Sequence, residues 1–205
     1  KDKMADAKSF KVFYFDIDGR AEVLRLILTY AGKEFEDVRL SMDKWLELKP
    51  TTPFGQVPVL EIDGKKKAQS IALAAFLARE FKLYGKDNWD ALTIDTVAQL
   101  AEDLIQSYFR FLRESDPVKK EAILTEVKTE VGPKFLGFFE SLLKENGTGF
   151  FVGNDITLAD IIIYDIATGF LKVTFEAIDN FPLVKKLVDT VGDNERIKKY
   201  VSDRK

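Results

Sequence analysis

The 205-residue sequence contains no cysteine and no histidine. Without cysteine there is no disulfide framework, no thiol nucleophile of the chain's own, no CxxC redox pair and no thiolate metal site. Without histidine there is no Ser-His-Asp relay, no imidazole base and no His-ligated zinc. Chemistry must fall to Tyr, Ser, Thr, Lys, Arg, Asp or Glu, or to a thiol carried in by a ligand. Charge of one sign is lacking too: 31 Lys+Arg stand against 34 Asp+Glu, a net charge of −3. That balance argues against a nucleic-acid partner, which calls for a basic stripe. The short runs Lys65-Lys66-Lys67 and Lys185-Lys186 read as solvated turns or faces. The longest apolar run, Ile71 to Ala78, falls far below the ~18 residues of a membrane span, so no membrane partner is expected. Lys1 to Asp6 is polar, with no apolar core of a signal peptide. With Met4 read as the natural start, the expectation is a cytoplasmic protein.

What is present is length and apolar content, 46% hydrophobic, enough for one large domain or two small ones. The first third alternates strand and helix. Phe10 to Phe15 is aromatic and β-branched, and Asp16 to Gly19 is turn chemistry. Val23, Leu24, Ile27, Leu28 and Ala31 recur at helical spacing before Gly32. Phe35 to Leu40 predicts a second strand and Met42 to Leu48 a short helix. Val57 to Ile62 and Lys66 to Gln69 form a hairpin about Asp63-Gly64, and Ser70 opens a helix to about Phe81. The order β-α-β-(α)-β-β-α is an α/β unit mixing one crossover with one hairpin. Lys82 to Asn88 is polar and reads as a linker. Beyond it every pattern is helical, including one long stripe from Val97 to Leu112 and a single helix from Val118 to Lys144. The division is an α/β domain at 8–82, a linker at 83–88 and an all-helical domain at 89–205, with 1–7 as a tail.

Two local signals are specific. Thr157-Leu158-Ala159-Asp160 is a capping box, flanked by Ile156 and Ile161 at the positions of a hydrophobic staple. It is a folding device. Gln56-Val57-Pro58 precedes a strand; its proline marks a strand start or a cis bond, and either leaves Val57 backbone groups free for a ligand.

Taken in order, these residues resemble a cytosolic glutathione transferase, most of all the sigma class and the related glutathione-dependent prostaglandin D synthase. The resemblance rests on Tyr14-Phe15 before Gly19-Arg20-Ala21-Glu22, on Trp45 with Lys49-Pro50, and on Pro53 to Leu60. Gln69-Ser70 opening a helix and the capping-box helix complete it. It covers nearly the whole chain and implies a thioredoxin-like N-terminal domain followed by an all-α C-terminal domain. It also implies a homodimer, glutathione as co-substrate, a small hydrophobic electrophile as second substrate, a role in detoxification, and no metal.

The resemblance gives each site residue a role beside its plainer reading. The Tyr14 hydroxyl would stabilise the glutathione thiolate; read alone, Tyr14 belongs to a strand aromatic cluster with Phe10, Phe13 and Phe15. Arg20 would support that tyrosine, or simply form a salt bridge in the first helical turn. Trp45 and Lys49, four apart on one helix face, would hold the glycine carboxylate, and otherwise form a surface pair. Gln56, Val57 and Pro58 would present main chain to the cysteinyl backbone as an added strand does. Gln69 and Ser70 would receive the γ-glutamyl carboxylate at a helix N-terminus, where Ser70 is also a plausible cap. Asp103 would reach the γ-glutamyl amine across a dimer interface; alone it is solvated surface. Two departures stand out: the acidic loop Asp16-Ile17-Asp18, and Ala75 in place of the usual arginine. The competing readings are a crystallin-like structural protein or hydrophobic-ligand carrier, and a glutathione-dependent prostaglandin isomerase. The second-substrate pocket is expected from Asp16 to Asp18, Tyr108 to Leu112 and the C-terminal tail.

Overall fold

The computed structural model describes residues 8–204. The polar N-terminus read from sequence, Met4 included, lies outside them. Two compact units divide the chain, one ending at Leu77 and the other beginning at Ala78.

In the first unit, β1 (Phe10–Phe15) pairs in parallel with β2 (Glu36–Leu40), Tyr14 opposite Arg39 and Phe15 opposite Leu40. A parallel pair needs a crossover, and α1 (Glu22–Tyr30) supplies it, burying every residue from Glu22 to Leu28. β3 (Val59–Ile62) runs antiparallel to β1 and turns into β4 (Lys65–Ala68). Asp63 and Gly64 both take positive φ, 49° and 79°, as a two-residue hairpin matched to strand twist requires. The sheet order is β2-β1-β3-β4. β3 starts two residues later than its apolar pattern predicts, because Pro58 has no N–H for the ladder; the Val57–Pro58 bond is cis. Ser41 caps α2 (Met42–Leu48), its hydroxyl accepting from the Lys44 N–H at 3.4 Å. α3 (Ser70–Glu80) follows β4.

The second unit is helical. Asp87 caps α4 (Asn88–Arg113), accepting from the Trp89 and Asp90 N–H groups at 2.8 and 3.0 Å. Asp116 does the same for α5 (Pro117–Glu126). One uninterrupted helix was expected over 118–144. Instead a π-helical turn, Val127–Val131, separates α5 from α6 (Gly132–Asn146). Pro133 has no N–H to continue the i→i−4 ladder, and the Gly132 N–H donates to the Val127 carbonyl five residues back. α7 (Leu158–Thr168) is buried from Leu158 to Ile166, which its nearly all-round apolar surface demands. α8 (Pro182–Gly192) and α9 (Glu195–Asp203) complete the unit. The Glu140 carboxylate caps α8 from outside, accepting from the Leu183 and Val184 N–H groups at 3.0 Å each. The segment read as a linker is packed in part: Leu83 and Tyr84 are buried, and the Tyr84 hydroxyl donates to the Asp95 carboxylate.

Candidate active site

The sheet register gathers the candidate residues of the first unit. The last β1–β3 pair is Phe13 with Val59, and the last β3–β4 pair is Val59 with Ala68. Tyr14 and Phe15, the Val57-Pro58 entry to β3, and the Gln69-Ser70 exit from β4 therefore emerge at one end of the sheet. β2 ends there as well and leads through Ser41 into α2. Crevices outside the carboxyl ends of strands are where open α/β sheets bind ligands.

Tyr14 is half-buried, and its hydroxyl accepts from the Arg20 N–H at 3.3 Å. Among the described residues nothing accepts the proton of that hydroxyl. The loop after β1 wraps the phenol closely. Gly19 sits at φ +48°, and a Cβ there would lie 2.7 Å from Tyr14 Cε1 and 2.8 Å from its hydroxyl. Glycine is required on both counts. The expectation that Arg20 supports Tyr14 takes a particular form, since its main chain makes this contact.

Two other arginines hold the loop. Arg25, fully buried, donates from Nη1 to the carbonyls of Ile17 and Asp18, both at 3.2 Å, and to Glu22 at 3.0 Å; its Nε donates to Asp37 at 2.9 Å. Arg39 donates to the other Asp37 oxygen at 2.6 Å and to the same Ile17 carbonyl at 3.1 Å. Burial opposes the Arg25 charge, but the carboxylates of Asp37 and Glu22 outweigh it and hold the guanidinium above its ordinary pKa. It lies 6.0 Å from the centre of the Tyr14 ring. Asp16 is exposed and lies 3.6 Å from Arg39, while Asp18 is half-buried.

Phe15 meets Trp45 edge to face at 5.8 Å, tying β1 to α2. Trp45 is half-buried and Lys49, one turn on, exposed; a Cβ at Gly55 would lie 3.7 Å from Lys49 Cε. Neither the indole N–H nor the Lys49 ammonium has a hydrogen-bond or ion-pair partner among the described residues. Gln56 is exposed, Val57 half-buried and Pro58 buried. Gln69 is exposed at φ +79°, a left-handed conformation held by its surroundings against strain. Ser70 is buried and its hydroxyl makes no hydrogen bond among the described residues. The first-turn amides of α3 have no intrahelical acceptor. One end of the sheet thus offers a phenol, an indole N–H, an ammonium, a hydroxyl and free amides. All of them are donors, as a small anionic peptide would require. No group of three or more Asp or Glu side chains able to hold a metal occurs among the described residues.

Comparison with known proteins supplies the family. The N-terminal domain model of glutathione S-transferases matches residues 10–79, and the C-terminal domain model matches residues 102–204. Probable glutathione S-transferase 7 of Caenorhabditis elegans is 37% identical over 198 residues, 95% of this chain and 96% of the relative. The chain belongs to the glutathione S-transferase family. Among solved structures, a monomeric glutathione S-transferase of the hookworm Necator americanus superposes with a TM-score of 0.88. It is 39% identical, and the match covers 96% of this chain and 98% of that one. Prostaglandin synthase D of Nilaparvata lugens gives 0.88 at 33% identity, with the same coverage.

The remaining features belong to this transferase's second unit or escaped sequence reading. Asp103 is exposed on α4. Tyr108, Phe109, Phe111 and Phe170 form a half-buried aromatic cluster, and burial raises the Tyr108 phenol above its ordinary pKa. Arg25 and Arg39 went unread as site residues. Arg25 follows Glu22 by three positions and mimics a surface helix pair, while Arg39 sits in an alternating strand. The signal available was the run of Val23, Leu24, Leu26, Ile27 and Leu28, whose apolar residues flank Arg25 on both sides of the helix.

Proposed function

We propose that this glutathione transferase uses Tyr14 to hold the glutathione sulfur as a thiolate that attacks a hydrophobic electrophile. A free thiol has a pKa of ~8.5 and is mostly protonated at neutral pH. A hydrogen bond donated to the sulfur favours the anion. The thiol proton leaves to solvent; the sulfur then forms a bond to carbon, and the electrophile either expels its leaving group or takes up a proton. The observation that carries this reading is the Tyr14 hydroxyl, oriented by the Arg20 N–H at 3.3 Å and with its own proton unused. The reading also explains how a chain without Cys or His performs thiol chemistry.

Glutathione is assigned to the same sheet end, with Trp45 and Lys49 at the glycine carboxylate and Phe15 behind Trp45. Val57, between Gln56 and Pro58, pairs main chain with the cysteinyl unit, and Gln69, Ser70 and the α3 amides take the γ-glutamyl carboxylate. What supports this is the set of unbonded donors. Asp103 is assigned to the partner subunit's site in a sigma-class, cytoplasmic homodimer acting in detoxification without a metal. The Necator relative is monomeric, so sedimentation of this chain as a monomer would remove that role. The functional domains are 8–82 and 89–205. A narrower reading, glutathione-dependent prostaglandin isomerisation, uses the same sulfur and is favoured by the likeness to the Nilaparvata synthase.

The test is Tyr14→Phe. Turnover of a chloronitrobenzene should fall about ten-fold or more, the ~1.4 kcal/mol or larger of a lost bond to a charged group, with glutathione affinity nearly unchanged. Wild-type turnover would refute the role of the hydroxyl.

A further inference from the structure

The second unit carries a groove that the transferase reading leaves unused. It measures about 390 Å³, within the range of small-molecule sites. Trp89 and Leu92, three residues apart on α4 and so on one face, form one wall and are 76% and 54% exposed. Leu142 of α6 adds apolar surface. An indole left so largely in water beside a leucine is the kind of exposed patch that marks a contact site.

The carboxylate and amide side chains of the lining offer acceptors. Glu145 of α6 lines the groove, and its carboxylate has no hydrogen-bond or ion-pair partner among the described residues. Asp90 lines it too, but its carboxylate turns to the preceding loop, packing against Gly85 and accepting the Lys86 N–H at 2.8 Å. Asn146 turns its amide nitrogen to the following loop, donating to Thr148 Oγ1, the Phe150 carbonyl and the Gly153 carbonyl at 2.8, 2.8 and 2.9 Å. Three acceptors around the nitrogen fix the amide's orientation and leave Oδ1 as an unused acceptor. The two lining threonines spend their protons on α4 carbonyls, and no lysine or arginine lines the groove. The same Asn146 bonds, with Thr148 Oγ1 donating to the Gly153 carbonyl at 2.6 Å, brace the adjoining loop, so the groove is formed before any ligand arrives.

We propose that this groove binds a small organic ammonium compound with an aryl or alkyl body. The ammonium donates to Glu145, a lining carboxylate with no partner among the described residues. The indole face of Trp89 attracts a cation, and Leu92 and Leu142 cover the apolar body.

The test is calorimetric titration of the full chain, with glutathione present to fill its own site, using three probes of similar shape: phenethylammonium, 2-phenylethanol and phenylacetate. Phenethylammonium should bind at one site, the alcohol at least five-fold more weakly, and phenylacetate not at all. Trp89→Ala and Glu145→Gln should each weaken phenethylammonium about five-fold, as expected for losing a cation–π or charge contact at a partly exposed site. Both variants should keep wild-type turnover of a chloronitrobenzene, since neither residue belongs to the transferase site. No phenethylammonium binding, equal binding of the three probes, or undiminished binding in Trp89→Ala would overturn the proposal. A loss of turnover in either variant would also count against it, because the groove would then belong to the transferase machinery.

Discussion

Arg25 is the deepest structural commitment of the site, and replacing it tests whether the loop around Tyr14 is held or merely adjacent. Arg25→Met removes a fully buried guanidinium from Glu22, itself 2% exposed, and from Asp37. It also removes the Arg25 bonds to the carbonyls of Ile17 and Asp18, of which Ile17 keeps Arg39. Breaking a buried ion pair from one side costs about 3–5 kcal/mol, because a charge stays behind in low dielectric. Asp37 keeps Arg39 at 2.6 Å, so the lower half of that range applies. Arg25→Lys keeps the charge, but one ammonium cannot span two carboxylates and two carbonyls as the planar fork does; about 1–3 kcal/mol is expected. Stability of the first unit would be read from Trp45 fluorescence during urea unfolding in a Trp89→Phe background. Both variants should also lower kcat, since the clamped loop presents the Arg20 N–H to Tyr14. Glu22→Gln combined with Arg25→Met should recover part of the stability, because no charge is then stranded, but none of the kcat. Wild-type midpoint and kcat in Arg25→Met would refute the clamp.

Gly19→Ala adds a methyl 2.7 Å from the Tyr14 ring at φ +48°; the ring must move, and kcat should fall about ten-fold or more, the ~1.4 kcal/mol of a misplaced hydroxyl. Retention of wild-type kcat would show that the phenol's position is not what matters. Burial pushes the Asp160 carboxyl up to about 6, against hydrogen bonds from the Thr157 and Phe151 N–H groups and the Thr157 hydroxyl. A folded pKa above the unfolded one contributes stability that is complete below about pH 4 and is lost as pH rises through about 6, on the order of 3 kcal/mol. Asp160→Asn, which cannot ionise, should flatten urea-midpoint profiles across that window while lowering stability by ~1–3 kcal/mol, because its NH2 faces a donor. An unchanged profile would contradict the buried-carboxyl account.

The elements legible in the sequence are those whose cause is local. β1, the Asp63-Gly64 hairpin and the capping box at Thr157 each follow from a few adjacent side chains. The structure places them within a residue or two of where those side chains predict. The break at Val127–Val131 was missed because apolar periodicity continues through it; Gly132-Pro133 was the local cue, and its effect lies a turn upstream. The candidate site divides in the same way. Tyr14, Trp45, Lys49 and Ser70 are candidates through short motifs, and the sheet register brings their segments to one end. Arg25 could not be found that way, because nothing in an i,i+3 Glu-Arg pair says whether water or protein surrounds it. Its partners Ile17, Asp18 and Asp37 come from the loop before α1 and the strand after it, so its burial exists only once β1 and β2 have paired. The residue that holds the loop around Tyr14 is therefore a product of tertiary structure, and charge patterning assigns it to the surface for sound local reasons.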